Sequence, residues 1–232
     1  MGNMFSPEKV QATLDMLKNE FLLGIWETLY ATVLATLFAI IIGLPLGVLI
    51  VVGDKDGILP LPRWLMSVIN FIINVLRSVP FIILVVMVIP FTRFILGTSV
   101  GTAASIVPLV IAAFPFVARL VESSLRELNP NVIEMAQSMG ASPMQIIVKV
   151  MIPESIPSLI SNFTIAITTI LGYTAMSGIV GGGGLGKIAI SYGKDRFNYL
   201  AMLVAVILLV VLVQVFQSLG THLATKSDKR LK

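Results

Sequence analysis

Residues 28–52, "TLYATVLATLFAIIIGLPLGVLIVV", run for twenty-five positions without a charged side chain. A helix rises about 1.5 Å per residue, so roughly 20 such residues cross the hydrocarbon core of a bilayer. Three further uncharged runs exceed that length: Thr98–Ala118, Ser155–Gly186 and Phe197–Thr225. The chain as a whole is 56% hydrophobic and 12% charged, about half the charged fraction of a soluble domain. These features predict an all-α polytopic membrane protein.

Other classes fall away on composition. A net charge of +4 invites a nucleic-acid reading, but the 16 basic residues are scattered among loops and ends. In a membrane protein such charges set topology, so no nucleic-acid partner is expected. There is no cysteine, which removes disulfides and thiol chemistry. The single histidine, His222, has no second histidine to form a metal site or a triad with. A membrane enzyme would need a nucleophile with its base or a metal set, and the sequence supplies neither.

The N-terminus lacks the pattern of a cleavable signal. "MGNMFS" matches a myristoylation pattern, although a multi-span protein gains little from a lipid anchor. Val10, Leu14, Leu17 and Phe21 recur at helical spacing, so residues 1–20 form a surface segment whose short helix lies on the membrane. Residues 21–220 form the membrane domain and residues 221–232 a polar tail.

Five spans are expected, at about 21–52, 71–91, 98–118, 157–179 and 199–219. The second is interrupted by Arg77, followed by Ser78 and Pro80. Either residues 64–77 enter along the interface and the crossing helix starts near Ser78, capped by that serine, or one kinked span carries Arg77 inside the bilayer. An arginine at membrane depth is a functional candidate, and snorkelling from a helix end is the cheaper reading. With the C-terminus inside, nine Lys and Arg lie inside and six outside, Arg77 left aside. The positive-inside rule therefore puts the N-terminus outside and the C-terminus in the cytoplasm.

"GGGGLGKI", residues 181–188, imitates a phosphate-binding loop. Such a loop needs a preceding strand and a final hydroxyl for magnesium, and here a membrane span precedes it and Ile188 ends it. Gly178, Gly181, Gly182 and their neighbours instead break a helix at the outer face, as a flexible gate or as a plain turn between spans.

The longest polar stretch, 119–154, carries "NPNVIEMAQSMGASPMQIIVKVMIPESIP" at residues 129–157. Asn129 can cap a helix starting at Pro130, and Gly140 suits the left-handed position that ends it. Ser142, Pro143 and Gln145 form a second start with a cap, a first-turn proline and a capping-box partner. The result is two short helices meeting at a glycine elbow, with Glu134, Gln137 and Ser138 on one face of the first.

This segment resembles the coupling loop of permease subunits of ATP-binding-cassette importers, whose pattern is E-A-A-x3-G-x9-I-x-L-P. Glu134, Ala136, Gly140 and Pro153 match at the right spacing, while Met135, Val150 and Ile152 are apolar exchanges. "GIWETLYATVLATLFAIIIGLPLGVL", "RSVPFIILVVMVIPFTRFILGTS" and "GYTAMSGIVGGGGLGKI" extend the likeness over nearly the whole chain. They are similar to the methionine-importer permeases of the type I importer family.

The resemblance implies a homodimer in the bacterial inner membrane. It also implies two copies of a cytoplasmic ATPase and an extracellular or periplasmic methionine-binding protein. ATP and magnesium would bind the ATPase, leaving this chain without a cofactor. The coupling helix would dock in a cleft of the ATPase, which asks for small residues where the partner approaches. Glycine betaine, phosphonate and sulfonate importers share the coupling and glycine-rich segments, so those solutes are the alternative cargo. A secondary transporter is a further alternative, although no internal repeat or paired intramembrane carboxylate is present. Polar residues inside spans could line a pathway or bond between helices. They are the Thr28, Thr32 and Thr36 stripe, the Asn70 and Asn74 pair, and Asn162, Thr164, Thr168, Tyr173, Thr174, Met176 and Ser177 of the fourth span.

Overall fold

The computed structural model describes residues 7–228, so the myristoylation-like start and the tail cations Lys229, Arg230 and Lys232 lie outside the described residues. Within them every regular element is helical. Four helices are long and apolar enough to cross a membrane: Glu20–Val52, Thr102–Arg126, Ile156–Val180 and Tyr199–Ser227. A bent pair, Arg63–Ser78 and Phe81–Leu96, brings the number to as many as five if it counts as one span.

Helix α1 (Pro7–Val52) is continuous for 46 residues, so the separate surface helix expected before residue 21 does not exist as an element. The polar stretch before the first span holds no breaker and is rich in Lys, Glu, Gln and Leu, all good helix formers, so helix propagates through it. Residues 71–91 are not one helix either. Helix α2 (Arg63–Ser78) and helix α3 (Phe81–Leu96) meet at an angle of 112°. Pro80 has φ −56° and ψ 134° and sits at the N-cap of α3 without a side-chain cap bond. The Ser78 hydroxyl donates back to Asn74 O at 2.7 Å, so it closes α2 and does not cap α3. Proline disfavours helical backbone in the residue before it, and that restriction makes the break.

Helix α4 (Thr102–Arg126) starts and ends later than the expected third span and runs into the polar stretch that follows. There follow α5 (Pro130–Ser138), α6 (Pro143–Ile146), a π-helical turn over Ile147–Met151, α7 (Ile152–Glu154) and α8 (Ile156–Ser177). The glycine-rich segment holds α9 (Gly184–Ile190) and a second π turn, Ser191–Asp195. Helix α10 (Tyr199–Ser227) carries the expected tail well past residue 219.

The chain divides into two compact units. One comprises Met1–Leu37, Val79–Ile111 and Ile167–Phe216, the other Phe38–Ser78, Ala112–Ala166 and Gln217–Lys232. Helices α1, α4, α8 and α10 contribute to both. The first unit is built on Phe21, Leu185, Ile188, Ala201 and Ala205, with Phe81 stacked on Tyr173 at 4.5 Å between ring centroids. In the second, Ile50, Ile73 and Ala118 pack with Leu46, Met66 and Ile69. A Cβ on Gly47 would stand 2.6 Å from Ala118 O and from Val121 Cβ, so α1 and α4 pack backbone to backbone there. Arg119 closes this unit on its polar side, bonding Glu122 at 2.6 Å, Asn70 Oδ1 at 2.8 Å and Asn74 Oδ1 at 3.0 Å. Only 11% of the most apolar window of α10 is buried within the chain, so its remaining apolar surface has to meet lipid or another subunit.

Candidate functional site

The coupling segment is assembled by its caps. Asn129 Oδ1 accepts the Asn131 N–H at 3.0 Å, and Pro130 occupies the first turn of α5, where its missing donor costs nothing. Gly140 has φ 78° and donates its N–H to Gln137 O at 2.9 Å, turning the chain out of α5. Ser142 then closes a reciprocal capping box. Its N–H donates to Gln145 Oε1 at 2.8 Å, and its Oγ accepts the Gln145 N–H at 3.4 Å. The second helix continues through Pro153, which is exposed in α7.

Glu134, Gln137 and Ser138 are exposed on α5, together with Met135 at 60% and Met139 at 81%, and Met144 of α6 adds a third exposed methionine. Ala136 points the other way and is buried. Its small side chain therefore fits α5 against its own chain. A groove of about 520 Å³ flanks α5, lined by Asp54, Asp56, Arg126, Glu134, Gln137 and neighbouring apolar residues. In it Arg126 bonds Asp54 at 2.8 Å and Glu122 at 3.0 Å. The hydrogen bond from Arg126, with one from the Lys55 N–H, holds the Asp54 carboxyl below its ordinary range.

The glycine-rich segment is folded against α1 and α8. Gly178 opens a 3-10 turn, Gly181 has φ 92° and accepts the Gly101 N–H at 2.8 Å, and Gly182 donates to Ser177 O at 3.0 Å. Residues 182–186 are buried. A Cβ on Gly186 would collide with the backbone of Ala175, so α9 lies against the end of α8 at a distance only glycine permits. The first free N–H groups of α9 are taken by side chains of α1. Gly184 donates to Glu27 Oε2 at 2.6 Å and Leu185 to Thr28 Oγ1 at 2.9 Å. A phosphate would need those same donors and would meet a carboxylate there, so the P-loop likeness has no structural counterpart.

The remaining pathway residues divide between the two units. Asn162 belongs to the second unit, where its amide donates to Ser124 Oγ at 2.7 Å and Leu120 O at 3.1 Å. Thr168, Tyr173, Met176 and the glycines belong to the first. Thr168 is half-buried, Tyr173 is engaged with Phe81, and Met176 is 41% exposed. Thr28, Thr32 and Thr36 are buried: Thr32 pairs with Thr174 at 3.2 Å and Thr36 donates to Thr32 O. Thr28 and Thr32 join α1 to α9 and α8, and Asn70 and Asn74 join α2 to α4 through Arg119. In the sequence Glu27 stands out only as the single acid inside an expected span. Its proximity to the glycines is a tertiary fact, and a solitary intramembrane carboxylate is the one signal that could have pointed to it.

The family model described as "Binding-protein-dependent transport system inner membrane component" matches residues 43–229. The chain belongs to this transport family. Among fellow inner-membrane components, the probable D-methionine transport system permease protein MetI of Vibrio cholerae is 48% identical over 208 residues, covering 88% of this chain and 91% of that protein. The D-methionine transport system permease protein MetI of Escherichia coli is 48% identical over 155 residues, covering 67% of this chain and 71% of that protein. A solved structure of inward-facing conformations of the MetNI methionine ABC transporter superposes with TM-score 0.88 at 44% identity, over 90% of this chain and 96% of that one. An amino acid ABC transporter described with histidines gives TM-score 0.75 at 19% identity, over 92% and 97%, a likeness of fold alone.

Proposed function

We propose that this chain is the permease subunit of an ATP-driven importer that takes up methionine across the bacterial inner membrane. It works as a homodimer with two copies of a cytoplasmic ATPase, and a binding protein delivers the amino acid from outside. The carrying observation is the capped elbow at Gly140, which presents Glu134, Gln137, Ser138 and the exposed Met135 and Met139 on one short helix. Similarity to MetI proteins along most of the chain supports methionine as the cargo. The Lys and Arg distribution supports an outer N-terminus and a cytoplasmic C-terminus.

Closure of the ATPases would draw the two α5 helices together and open the outer face. Hydrolysis, which belongs to the ATPase, would return the pathway inward. The break in helix at Gly178–Val180 and the left-handed Gly181 support a role for this segment as the outer gate. The test is uptake of labelled methionine by vesicles carrying this chain, its ATPase and its binding protein, with and without internal ATP. Uptake that requires ATP and is competed by methionine but not by glycine betaine is the expected result. ATP-stimulated hydrolysis without methionine uptake would transfer the assignment to another solute, and uptake following a proton gradient would remove the coupling reading.

A further inference from the structure

Gly172 is a glycine that its own chain does not explain. Glycine inside a helix costs stability relative to alanine, because its unfolded backbone has more freedom to lose. A left-handed backbone, or a neighbour that leaves no room for a methyl group, usually accounts for it. Gly101 and Gly140 meet the first condition, and Gly47, Gly186 and Gly220 meet the second. Gly172 meets neither. It lies within α8 without a positive φ, and a Cβ built on it would have no neighbouring group within 4 Å. Among the described residues it is the one glycine of that kind.

The turn around it is fixed in rotation. Leu171 and Thr174 are each 1% exposed, and Tyr173 stacks on Phe81 of α3. Gly172 is thereby left on the exposed side, with Met176 and Ile179 one and two turns further on. Half-buried Thr168 and Thr169 flank it one turn earlier. Lipid is a poor match for such a face. Helix α10 is the least buried of the four long spans and the most apolar, as a helix bathed in hydrocarbon has to be. Helix α8 comes next, with 33% of its most apolar window buried, yet it is the least apolar of the four. Less apolar surface at membrane depth belongs against water or protein.

We infer that this face of α8 lines a water-filled passage and that Gly172 is its clearance position, where cargo passes the helix with no side chain in its way. The inference rests on the importer reading above and adds a specificity-determining residue to it. Alanine at this position displaces nothing in the folded chain, but it narrows the passage by a methyl group. Leucine narrows it further.

The test uses the complete transporter, in lipid nanodiscs for thiol labelling and in proteoliposomes for uptake. The chain has no cysteine, so Gly172→Cys gives this subunit a single thiol. That thiol should react with a charged methanethiosulfonate, because the reactive thiolate forms only in contact with water. Val206→Cys, on the exposed face of α10, should not react. Gly172→Ala should unfold at a higher temperature than wild type and yet take up methionine several-fold more slowly, with ATP hydrolysis retained. Gly172→Leu should stop uptake. A purely structural glycine would not separate stability from uptake in this way. Three results would each overturn the inference. A Gly172→Cys thiol as inert as that of Val206→Cys would put the face against lipid. Disulfide-linked pairs of Gly172→Cys chains without reagent access would put it against a second copy. Wild-type uptake in Gly172→Ala and Gly172→Leu would remove the clearance role. Labelling is read without cargo, so a transporter that carries another solute would leave that result standing.

Discussion

Glu27 shows how one side chain can hold a segment that sequence distance separates from it by 157 positions. Its half-buried carboxylate takes the N–H of the buried Gly184. Glu27→Ala should therefore cost about 1–3 kcal/mol, the penalty for orphaning a buried donor. Glu27→Gln retains an acceptor and should lose well under half of that, as chemical unfolding of the purified chain would measure. A different residue effect sits at Asp54. Its folded carboxyl is held below the ordinary value, so its pairing with Arg126 contributes fully above about pH 3.9 and is lost as pH falls through the lower folded value. Both side chains are nearly half exposed, at 48% and 47%, which limits the pair to less than about 1 kcal/mol. Asp54→Asn should flatten the acid limb of the stability profile slightly and leave the neutral plateau close to wild type.

At the scale of elements, the coupling segment is the most strongly specified part of the chain. Gly140 needs a left-handed backbone and a free N–H, and proline offers neither. Gly140→Pro should misdirect α5 relative to the helix that follows, uncoupling ATP hydrolysis from uptake. Circular dichroism should show the helix content retained, because the elbow belongs to no span. Glu134→Lys tests the exposed face of α5 in the same assay and should also uncouple, while wild-type uptake in both variants would end the coupling-helix reading. Gly186 carries the opposite lesson. Its replacement by alanine would press a methyl into the Ala175 backbone, and overpacking of this kind costs about 1–3 kcal/mol. Reduced thermal stability of Gly186→Ala, with ATPase binding unaffected, is the expected outcome.

For the molecule as a whole, the absence of cysteine makes topology directly testable. Phe94 and Met139 are 88% and 81% exposed and lie on opposite sides in the proposed orientation. Phe94→Cys should react with an impermeant maleimide in right-side-out vesicles, and Met139→Cys only in inverted ones. The reverse pattern would invert the assignment of both termini. Much of this architecture was legible in the sequence, because long apolar runs and helix caps are local. Residues 28–52 cross a membrane whatever packs beside them, and Asn129, Gly140 and Ser142 cap helices through bonds to residues within three positions. Tertiary structure alone decided the rest. It joined Arg119 to Asn70 and Asn74, and turned Ala136 inward. It also brought Glu27 to Gly184. Those outcomes depend on which surfaces meet. A one-dimensional pattern encodes the period of a helix and its ends, whereas the partner of a side chain is set by packing between elements far apart in the chain.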